Sequence, residues 1–249
     1  MMKTWKWITL LYIFLLFSCT SDIDEFFTSK ENLSQIIAHQ GNWQWEGWKR
    51  NSIEALKSAL EMGFYGSECD VRMTKDSVFV IEHDDDYYGI KISATNYIDI
   101  TTQLIDDVHL ATLNEFFDII TNTPQSSTKL ILDLKHVDVN RLLTEIERRG
   151  LESKVEFFCT RTYMETLRAR GYAHATWIYD PTVTPQEAAK AGIKGVSYQE
   201  NFIQSNGRIM EDIKTYRLKA NVWTVNNKEK IKAYIQKGFI VTSDRPIQR

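Results

Sequence analysis

The sequence predicts an α/β protein with a single-domain (β/α)8 TIM barrel that is irregular around its second and third strands. Short apolar, β-branched runs alternate with helical patterns from residue 34 to the end, which is typical of a parallel sheet with helical crossovers. Eight or nine such units occupy about 215 residues, which is the density of a closed barrel. The length of 249 residues suits one barrel domain, and no low-complexity linker divides it.

The predicted strands and helices follow one another along this stretch. The candidate strands are 35–39, 65–70, 78–83, 129–134, 155–159, 175–179, 195–198, 221–225 and 239–243. The candidate helices are 52–62, 113–120, 139–149, 162–170, 185–191, 209–218 and 228–237. A glycine suited to a left-handed C-cap follows five of these helices, at Gly63, Gly150, Gly171, Gly192 and Gly238.

The irregularity lies between the second and third predicted strands, because nine strands are one too many for the barrel. The stretch from Asp70 to Val78 is too short for a helical crossover between parallel strands. A turn signal around Asp76 would let the chain double back as a hairpin and set Asp70 opposite His83. An extended crossover is the alternative, and the sequence leaves both open.

Composition and charge exclude several classes of protein. With 43% hydrophobic and 25% charged residues, 4 Pro and 3 Cys, the chain is not disordered, collagen-like or built on a disulfide framework. Lys and Arg number 30 against 33 Asp and Glu, which gives a net charge of −3. The chain therefore lacks the basic excess that would indicate a nucleic-acid partner, and its function must reside in a specific site.

The N-terminus predicts export. Lys3 and Lys6 precede an apolar run at 8–17, which is short of the ~20 residues that a spanning helix needs. Residues 16–19 resemble a bacterial lipobox, so 1–18 would be a lipoprotein signal peptide, Cys19 the lipidated residue and 19–33 a tether to a domain at 34–249. This predicts a cell-envelope lipoprotein on the periplasmic or outer-membrane face. Ordinary signal cleavage near Cys19 is the alternative.

Polar residues recur where the predicted strands end. In a parallel barrel these ends share one face, and side chains two residues apart on a strand point the same way. Three carboxylates there would suit a hard divalent cation, and two histidines could exchange protons with reacting oxygens. Structural histidines and a simple Asp–Lys ion pair are the alternatives. The residues are His39, Glu68, Asp70, His83, Asp133, Lys135 and Trp223.

Around these positions the sequence resembles the glycerophosphodiester phosphodiesterase family, a barrel family related to phosphatidylinositol-specific phospholipases C. The most specific match is the stretch 66–76 with 80–84, where both residue types and spacing agree. The other motifs are Ile-Ile-Ala-His-Gln-Gly at 36–41, Asn-Ser-Ile-Glu-Ala-Leu at 51–56, Leu-Asp-Leu-Lys at 132–135, Val-Trp-Thr-Val-Asn at 222–226 and Thr-Ser-Asp-Arg-Pro at 242–246.

The resemblance implies hydrolysis of a phosphodiester to an alcohol and a phosphomonoester, typically sn-glycerol 3-phosphate, with Mg or Ca. Whether a cyclic phosphate intervenes is left open. The implied roles are general acid and base for His39 and His83, metal ligation for Glu68, Asp70 and Asp133, and neutralisation of phosphate charge for Lys135. Our further candidates for substrate binding, beside Lys135, are Gln40, Arg50 and Trp223.

Two positions depart from the family pattern. Gln40 replaces an arginine, and a neutral amide cannot make the charged bidentate contact of guanidinium with phosphate. Asp133 replaces a glutamate and is one methylene shorter. We hypothesise that Arg50, where the family usually has glutamate, supplies the missing positive charge; the alternative is a surface residue. Also open from sequence are a lysophospholipid or inositol phosphodiester substrate and a non-catalytic binding protein, although both histidines and Lys135 favour catalysis.

Three tryptophans, Trp43, Trp45 and Trp48, follow the first strand. They could bind a choline or ethanolamine head group through cation–π contacts, rim the barrel against a membrane, or pack over its top.

Overall fold

In the computed structural model, eight parallel strands close into a barrel with helices between them. The structure describes residues 23, 25–44, 47–103 and 109–246, so Cys19 and Trp45 lie outside the described residues. The strands are β1 Ile36–Ala38, β2 Gly66–Met73, β3 Phe79–Ile81, β4 Asp86–Tyr87, β5 Ile90–Lys91, β6 Lys129–His136, β7 Val155–Cys159, β8 Thr176–Ile178, β9 Gly195–Gln199, β10 Lys219–Trp223 and β11 Ile240–Ser243.

Apart from three short additions, the helices whose full extent the structure describes lie where the sequence predicts them. They are α1 Lys30–Leu33, α2 Ile53–Met62, α3 Tyr97–Gln103, α4 Leu113–Asn122, α5 Val139–Arg149, α6 Arg161–Ala169, α7 Pro185–Lys190, α8 Glu200–Ser205, α9 Ile209–Thr215 and α10 Lys228–Gln236. Each of the five predicted capping glycines has a positive φ. The additions are α1, α3 and α8.

The barrel closes because β1 pairs in parallel with both β2 and β11. The order around it is β1, β11, β10, β9, β8, β7, β6, β2, which confirms the predicted TIM barrel. Register places Asp70 of β2 beside Asp133 of β6. The carboxyl ends of these two strands therefore carry their acidic residues side by side.

The third predicted strand, β3, is the one in excess of eight: it forms an antiparallel hairpin with β2 and stands outside the barrel. The register pairs Val71 with Ile81, and the backbone N–H of Glu82 donates to the Asp70 carbonyl at 3.0 Å. The position opposite Asp70 is therefore Glu82, and the expectation of His83 there was wrong by one residue. After β3 the chain makes an excursion through β4, β5 and α3, whose own small core contains Val80, Ile92, Ile100 and Leu110.

Alternation along the strands separates the barrel interior from the layer beneath the helices. One cluster joins apolar residues from five barrel strands, namely Ile37, Ile131, Phe158, Trp177 and Ile240. Their strand neighbours, such as Ile36 and Leu132, belong to the larger cluster packed against the helices. His39 and Asp133 lie two residues beyond Ile37 and Ile131, so they continue the inward phase.

Deeper in the barrel, a buried carboxylate is fully partnered. Glu156 of β7 accepts hydrogen bonds from the Tyr65 hydroxyl and, at 2.6 Å, from Trp177 Nε1. Lys194 forms an ion pair with the same carboxylate. These polar contacts compensate the charge that is buried inside the barrel.

The folded domain begins before the predicted boundary at residue 34. Phe27 and Leu33 are buried in the outer core, and Ile23 and Phe26 pack against it. The segment from 25 to 33, assigned from the sequence to a tether, is therefore part of the fold, because two phenylalanines outweigh its polar neighbours. Among the described residues no helix is both long and apolar enough to cross a membrane.

Candidate active site

Three carboxylates meet at the carboxyl ends of β2 and β6. Glu68 and Asp70 are almost fully buried, at 2% and 1% exposure, and Asp133 is half-buried. One ligand oxygen from each lies within 4.8 Å of the others. This is the cluster that the alternation of the sequence predicted, and its oxygens are the ligand type that Mg and Ca prefer.

The loop after β1 holds two of these carboxylates in place. The backbone N–H of Gln40 donates to Glu68 Oε2 at 2.8 Å, and the Gln40 side chain donates from Nε2 to Asp70 Oδ2 at 2.7 Å. Asn51 Nδ2 donates to the same Asp70 oxygen at 2.9 Å. The next residue, Ser52, caps α2 by accepting from the Ala55 N–H.

Crowding of negative charge shifts the protonation of the cluster. Burial raises the pKa of Glu68 well above its usual range, and Asp70 and Asp133 raise it further. Burial also raises the pKa of Asp133, against the opposing effect of Lys135. The pKa of Asp70 falls below its usual value, because Lys135 and the amides of Asn51 and Gln40 outweigh its burial. Burial thus favours the protonated form of Glu68 and of Asp133, whereas Asp70 is held in its ionised form.

Lys135 supplies the positive charge of the cluster. Its Nζ lies 2.7 Å from Asp133 Oδ2 and 3.1 Å from Asp70 Oδ1. Although burial alone would lower it, the pKa of Lys135 is raised because the two aspartates and Glu68 stabilise the ammonium. Lys135 is thus charged at neutral pH.

His39 is oriented by a carboxylate at the other end of the chain. Its Nδ1 lies 2.8 Å from Asp244 Oδ1, and Asn226 Nδ2 donates to Asp244 Oδ2 at 2.9 Å. An ionised carboxylate accepts but cannot donate, so Nδ1 carries the proton when His39 is neutral. The other nitrogen, Nε2, lies 3.9 Å from Glu68 Oε2 and is free to act on a substrate.

His83 has the same arrangement at lower burial. Its Nδ1 lies 2.9 Å from Asp84 Oδ1, and its side chain is 55% exposed. Arg72 donates from its guanidinium to the His83 carbonyl at 2.6 Å, which fixes the backbone at this point. When His83 is neutral, Nε2 is therefore also its unprotonated nitrogen.

A cavity of about 220 Å³ unites the site. Every strand-end residue that the sequence selected lines it, and so do Phe158, Tyr179 and Thr242, which the sequence did not select. The selected residues that line the cavity are His39, Glu68, Asp70, His83, Asp133, Lys135 and Trp223. Trp223 Nε1 is buried and has no hydrogen-bond partner among the described residues.

Two residues expected to bind substrate lie elsewhere. Gln40 is buried behind the carboxylates at 2% exposure and does not line the cavity. Arg50 is exposed and stacks its guanidinium 4.4 Å from the ring centre of Trp43. Arg50 also helps to lower the pKa of Asp244. One face of Trp43 is therefore already occupied by a cation of the protein.

The carboxylate cluster fits a divalent cation. The Tyr179 hydroxyl lies close enough to Asp133 to favour its charged form, yet Asp133 Oδ1 is buried without a hydrogen bond of acceptable geometry. A buried oxygen without a partner reduces the stability of the folded state. A cation bound between the three carboxylates would be a partner for Asp133 Oδ1. The donor set is entirely oxygen, as hard cations require.

The barrel and its strand-end site define an enzyme whose buried carboxylates and paired imidazoles suit phosphoryl chemistry. Residues 39–246 match the model of the glycerophosphoryl diester phosphodiesterase family. The chain belongs to this family and is a phosphoric diester hydrolase, as the sequence motifs indicated.

Solved structures are similar over most of the chain. A glycerophosphodiester phosphodiesterase from Parabacteroides distasonis is 27% identical with a TM-score of 0.73, over 85% of this chain and 92% of that one. The Thermotoga maritima glycerophosphodiester phosphodiesterase is 19% identical with a TM-score of 0.68, over 85% and 94%. An Oleispira antarctica phosphodiesterase in complex with the product sn-glycerol-3-phosphate is 20% identical with a TM-score of 0.65, over 86% and 94%. No curated protein matches significantly.

Proposed function

We propose that this chain hydrolyses glycerophosphodiesters to an alcohol and sn-glycerol 3-phosphate, with a divalent cation, Mg or Ca, and a histidine acid-base pair. Membership of the family supports the reaction, and the product named in the Oleispira structure supports the choice of substrate. One observation carries the proposal. His39 and His83, each with a carboxylate on Nδ1, face the same cavity as three carboxylates and Lys135.

The two histidines divide the proton transfers. One imidazole accepts the proton of the attacking oxygen through Nε2, and the other, protonated, donates a proton to the oxygen of the leaving alcohol. The P–O bond to the alcohol breaks as the new P–O bond forms. Asp244 and Asp84 each stabilise the imidazolium that arises in this exchange.

Positive charge and hydrogen-bond donors act on the phosphoryl oxygens. The Lys135 ammonium lies at the cavity wall, where it attracts the phosphodiester, and the unpartnered Trp223 Nε1 can donate to a substrate oxygen. A divalent cation held by Glu68, Asp70 and Asp133 would neutralise charge that develops on those oxygens.

The test is metal-dependent turnover by the chain that lacks residues 1–18 and carries Cys19→Ser. We expect release of glycerol 3-phosphate from glycerophosphocholine or glycerophosphoethanolamine, loss of turnover with chelator, and recovery on adding Mg or Ca. His39→Ala should abolish it. Products that carry an acyl chain or a cyclic phosphate, with no glycerol 3-phosphate, would redirect the proposal to another phosphodiester. Metal binding without turnover on any of these would contradict it.

We also propose that the protein is exported and anchored through a lipid on Cys19. The supporting observations are the basic and apolar N-terminus and the lipobox-like residues 16–19. Mass spectrometry of the N-terminal peptide from the membrane fraction should show a lipidated Cys19, and Cys19→Ser should shift the protein to the soluble fraction. An unmodified N-terminus elsewhere would contradict the anchor.

A further inference from the structure

A neutral amide, Gln40, lies directly behind the carboxylate cluster. Its backbone N–H donates to Glu68 at 2.8 Å and its side chain donates to Asp70 at 2.7 Å. Its φ is +56°, so the loop turns there in a conformation that non-glycine residues seldom adopt. One residue thus holds two of the three carboxylates.

The orientation of this amide is fixed by the carboxylate. Gln40 Nε2 donates to Asp70 Oδ2 at 2.7 Å, so the NH2 side of the amide faces the carboxylate. The amide oxygen, Oε1, is consequently buried without a hydrogen-bond partner among the described residues. An unpaired buried acceptor destabilises the fold. Its presence here indicates that the Gln40 side chain is oriented to bind the carboxylates and not to contact a molecule in the substrate cavity.

Gln40 positions the carboxylates without adding charge. In the described part of the chain, Lys135 is the one Lys or Arg that forms ion pairs with the cluster. When all three carboxylates are ionised, as cation binding requires, the cluster and the Lys135 ammonium together carry two excess negative charges, which a divalent cation balances. An arginine at position 40 would place a guanidinium beside the same oxygens, in addition to the Lys135 ammonium and the bound cation. Repulsion between the guanidinium and the cation would oppose cation binding.

We propose that Gln40 sets the divalent-cation affinity of this cluster through its neutrality as well as its hydrogen bonds. This inference rests on the cation site of the proposed function. It makes Gln40 a positioning residue of the metal site, and it assigns no phosphate contact to this side chain. Residues that orient metal ligands commonly change metal affinity by about 10-fold to 100-fold when they are replaced.

The experiment is calorimetric titration of Mg and of Ca into the chain without residues 1–18, with Cys19→Ser and without substrate. Gln40→Arg adds one positive charge at the cluster, and Gln40→Met removes the donor without adding charge. Gln125→Arg is the matched control, because residue 125 is exposed and lines a cavity at the opposite end of the barrel. Far-ultraviolet and near-ultraviolet circular dichroism verifies that each variant is folded.

We expect the dissociation constant to rise at least 30-fold in Gln40→Arg, about 10-fold or less in Gln40→Met, and less than 2-fold in Gln125→Arg. Equal effects of Gln40→Arg and Gln40→Met would overturn the part played by charge, and unchanged affinity in both would overturn the inference entirely. In these cases the wild type still binds the cation, so the proposed function stands. A wild type that binds neither Mg nor Ca overturns both.

Discussion

His39 depends on a carboxylate 205 positions further along the chain. Asp244 is half-buried and is itself held by Asn226, and its pKa stays below the usual range because bonds from His39 and Asn226 outweigh burial. An ionised partner on Nδ1 selects the tautomer that leaves Nε2 unprotonated. The proton chemistry of His39 is therefore set by a residue that does not line the cavity.

Replacement of that carboxylate gives the first prediction. Asp244→Asn keeps the shape but no longer favours the correct tautomer or stabilises the imidazolium, so kcat should fall by about 100-fold or more while KM changes little. Steady-state kinetics on glycerophosphocholine measures both. Asp118→Asn, on the outer face of α4, is the control. A change confined to KM would show that Asp244 acts on substrate binding instead.

Lys135 gives the second prediction, because it neutralises two buried carboxylates. Lys135→Met leaves Asp70 and Asp133 without their ion pair, so the metal-free protein should lose about 3 kcal/mol in the free energy of unfolding. Added Mg or Ca should restore part of this loss by binding the folded state. Denaturant unfolding with chelator and with cation measures both values. Equal stability of variant and wild type in chelator would contradict the argument.

The sequence could predict which residues face the cavity but not which partners hold them. His39, Glu68, Asp70, Asp133 and Lys135 follow from strand phase, which a two-residue alternation fixes. The role of Gln40 depends on a left-handed loop residue, and the stacking of Arg50 on Trp43 depends on side-chain rotamers. Neither leaves a periodic signal in the sequence.

At the scale of elements, the barrel strands were predictable because each is a buried apolar run bounded by turn residues. The sequence could not decide whether β2 and β3 form a hairpin, because a seven-residue gap is compatible with a hairpin and with an extended crossover. The strands β4 and β5 have two residues each, too few for any alternation to be detected. These elements belong to the excursion between β3 and α4, where the small core of Val80 and Ile92 replaces barrel packing.

The turn from β1 into α2 gives the third prediction. Gly41 has a φ of +83°, and a Cβ there would lie 2.6 Å from Ala55 Cβ and 2.9 Å from its backbone carbon. Gly41→Ala should therefore cost about 2 to 4 kcal/mol of unfolding free energy and displace Gln40 from Asp70. Gly63→Ala shares the positive φ but meets no atom within 4 Å, so it should cost about 1 kcal/mol. If Gly41→Ala and Gly63→Ala lost the same unfolding free energy, the loss would come from the positive φ alone and the clash with Ala55 would be contradicted.

At the scale of the molecule, closure of the barrel brings together groups from both ends of the sequence. β1 and β11 are neighbours, so His39 and Asp244 meet although they lie near opposite ends of the domain. The same closure buries Glu68 and Asp133 beside Asp70, which stores unfavourable electrostatic energy in the folded state. We therefore expect the stability of the whole chain to be coupled to pH and to divalent cations.

This coupling gives the fourth prediction. The folded pKa of Glu68 exceeds its ordinary value of 4.5, so the folded state binds its proton more tightly than the unfolded chain does. Its contribution to stability is complete below pH 4.5 and is lost as pH rises through the folded pKa, at about 1.4 kcal/mol for each pH unit that separates the folded pKa from the unfolded one. In chelator, the free energy of unfolding should therefore fall more as the pH rises above 4.5 in the wild type than in Glu68→Gln.

A bound cation should remove this dependence, because it favours the ionised carboxylate. With Mg or Ca at saturating concentration, stability should rise and the fall with pH should flatten. Cation binding should release a proton over the pH range in which Glu68 is protonated in the free protein. Titrations in two buffers of different ionisation enthalpy count that proton, and Glu54→Gln, on the surface of α2, serves as the control. Binding without proton release, together with identical pH profiles for wild type and Glu68→Gln, would show that Glu68 is already ionised in the free protein.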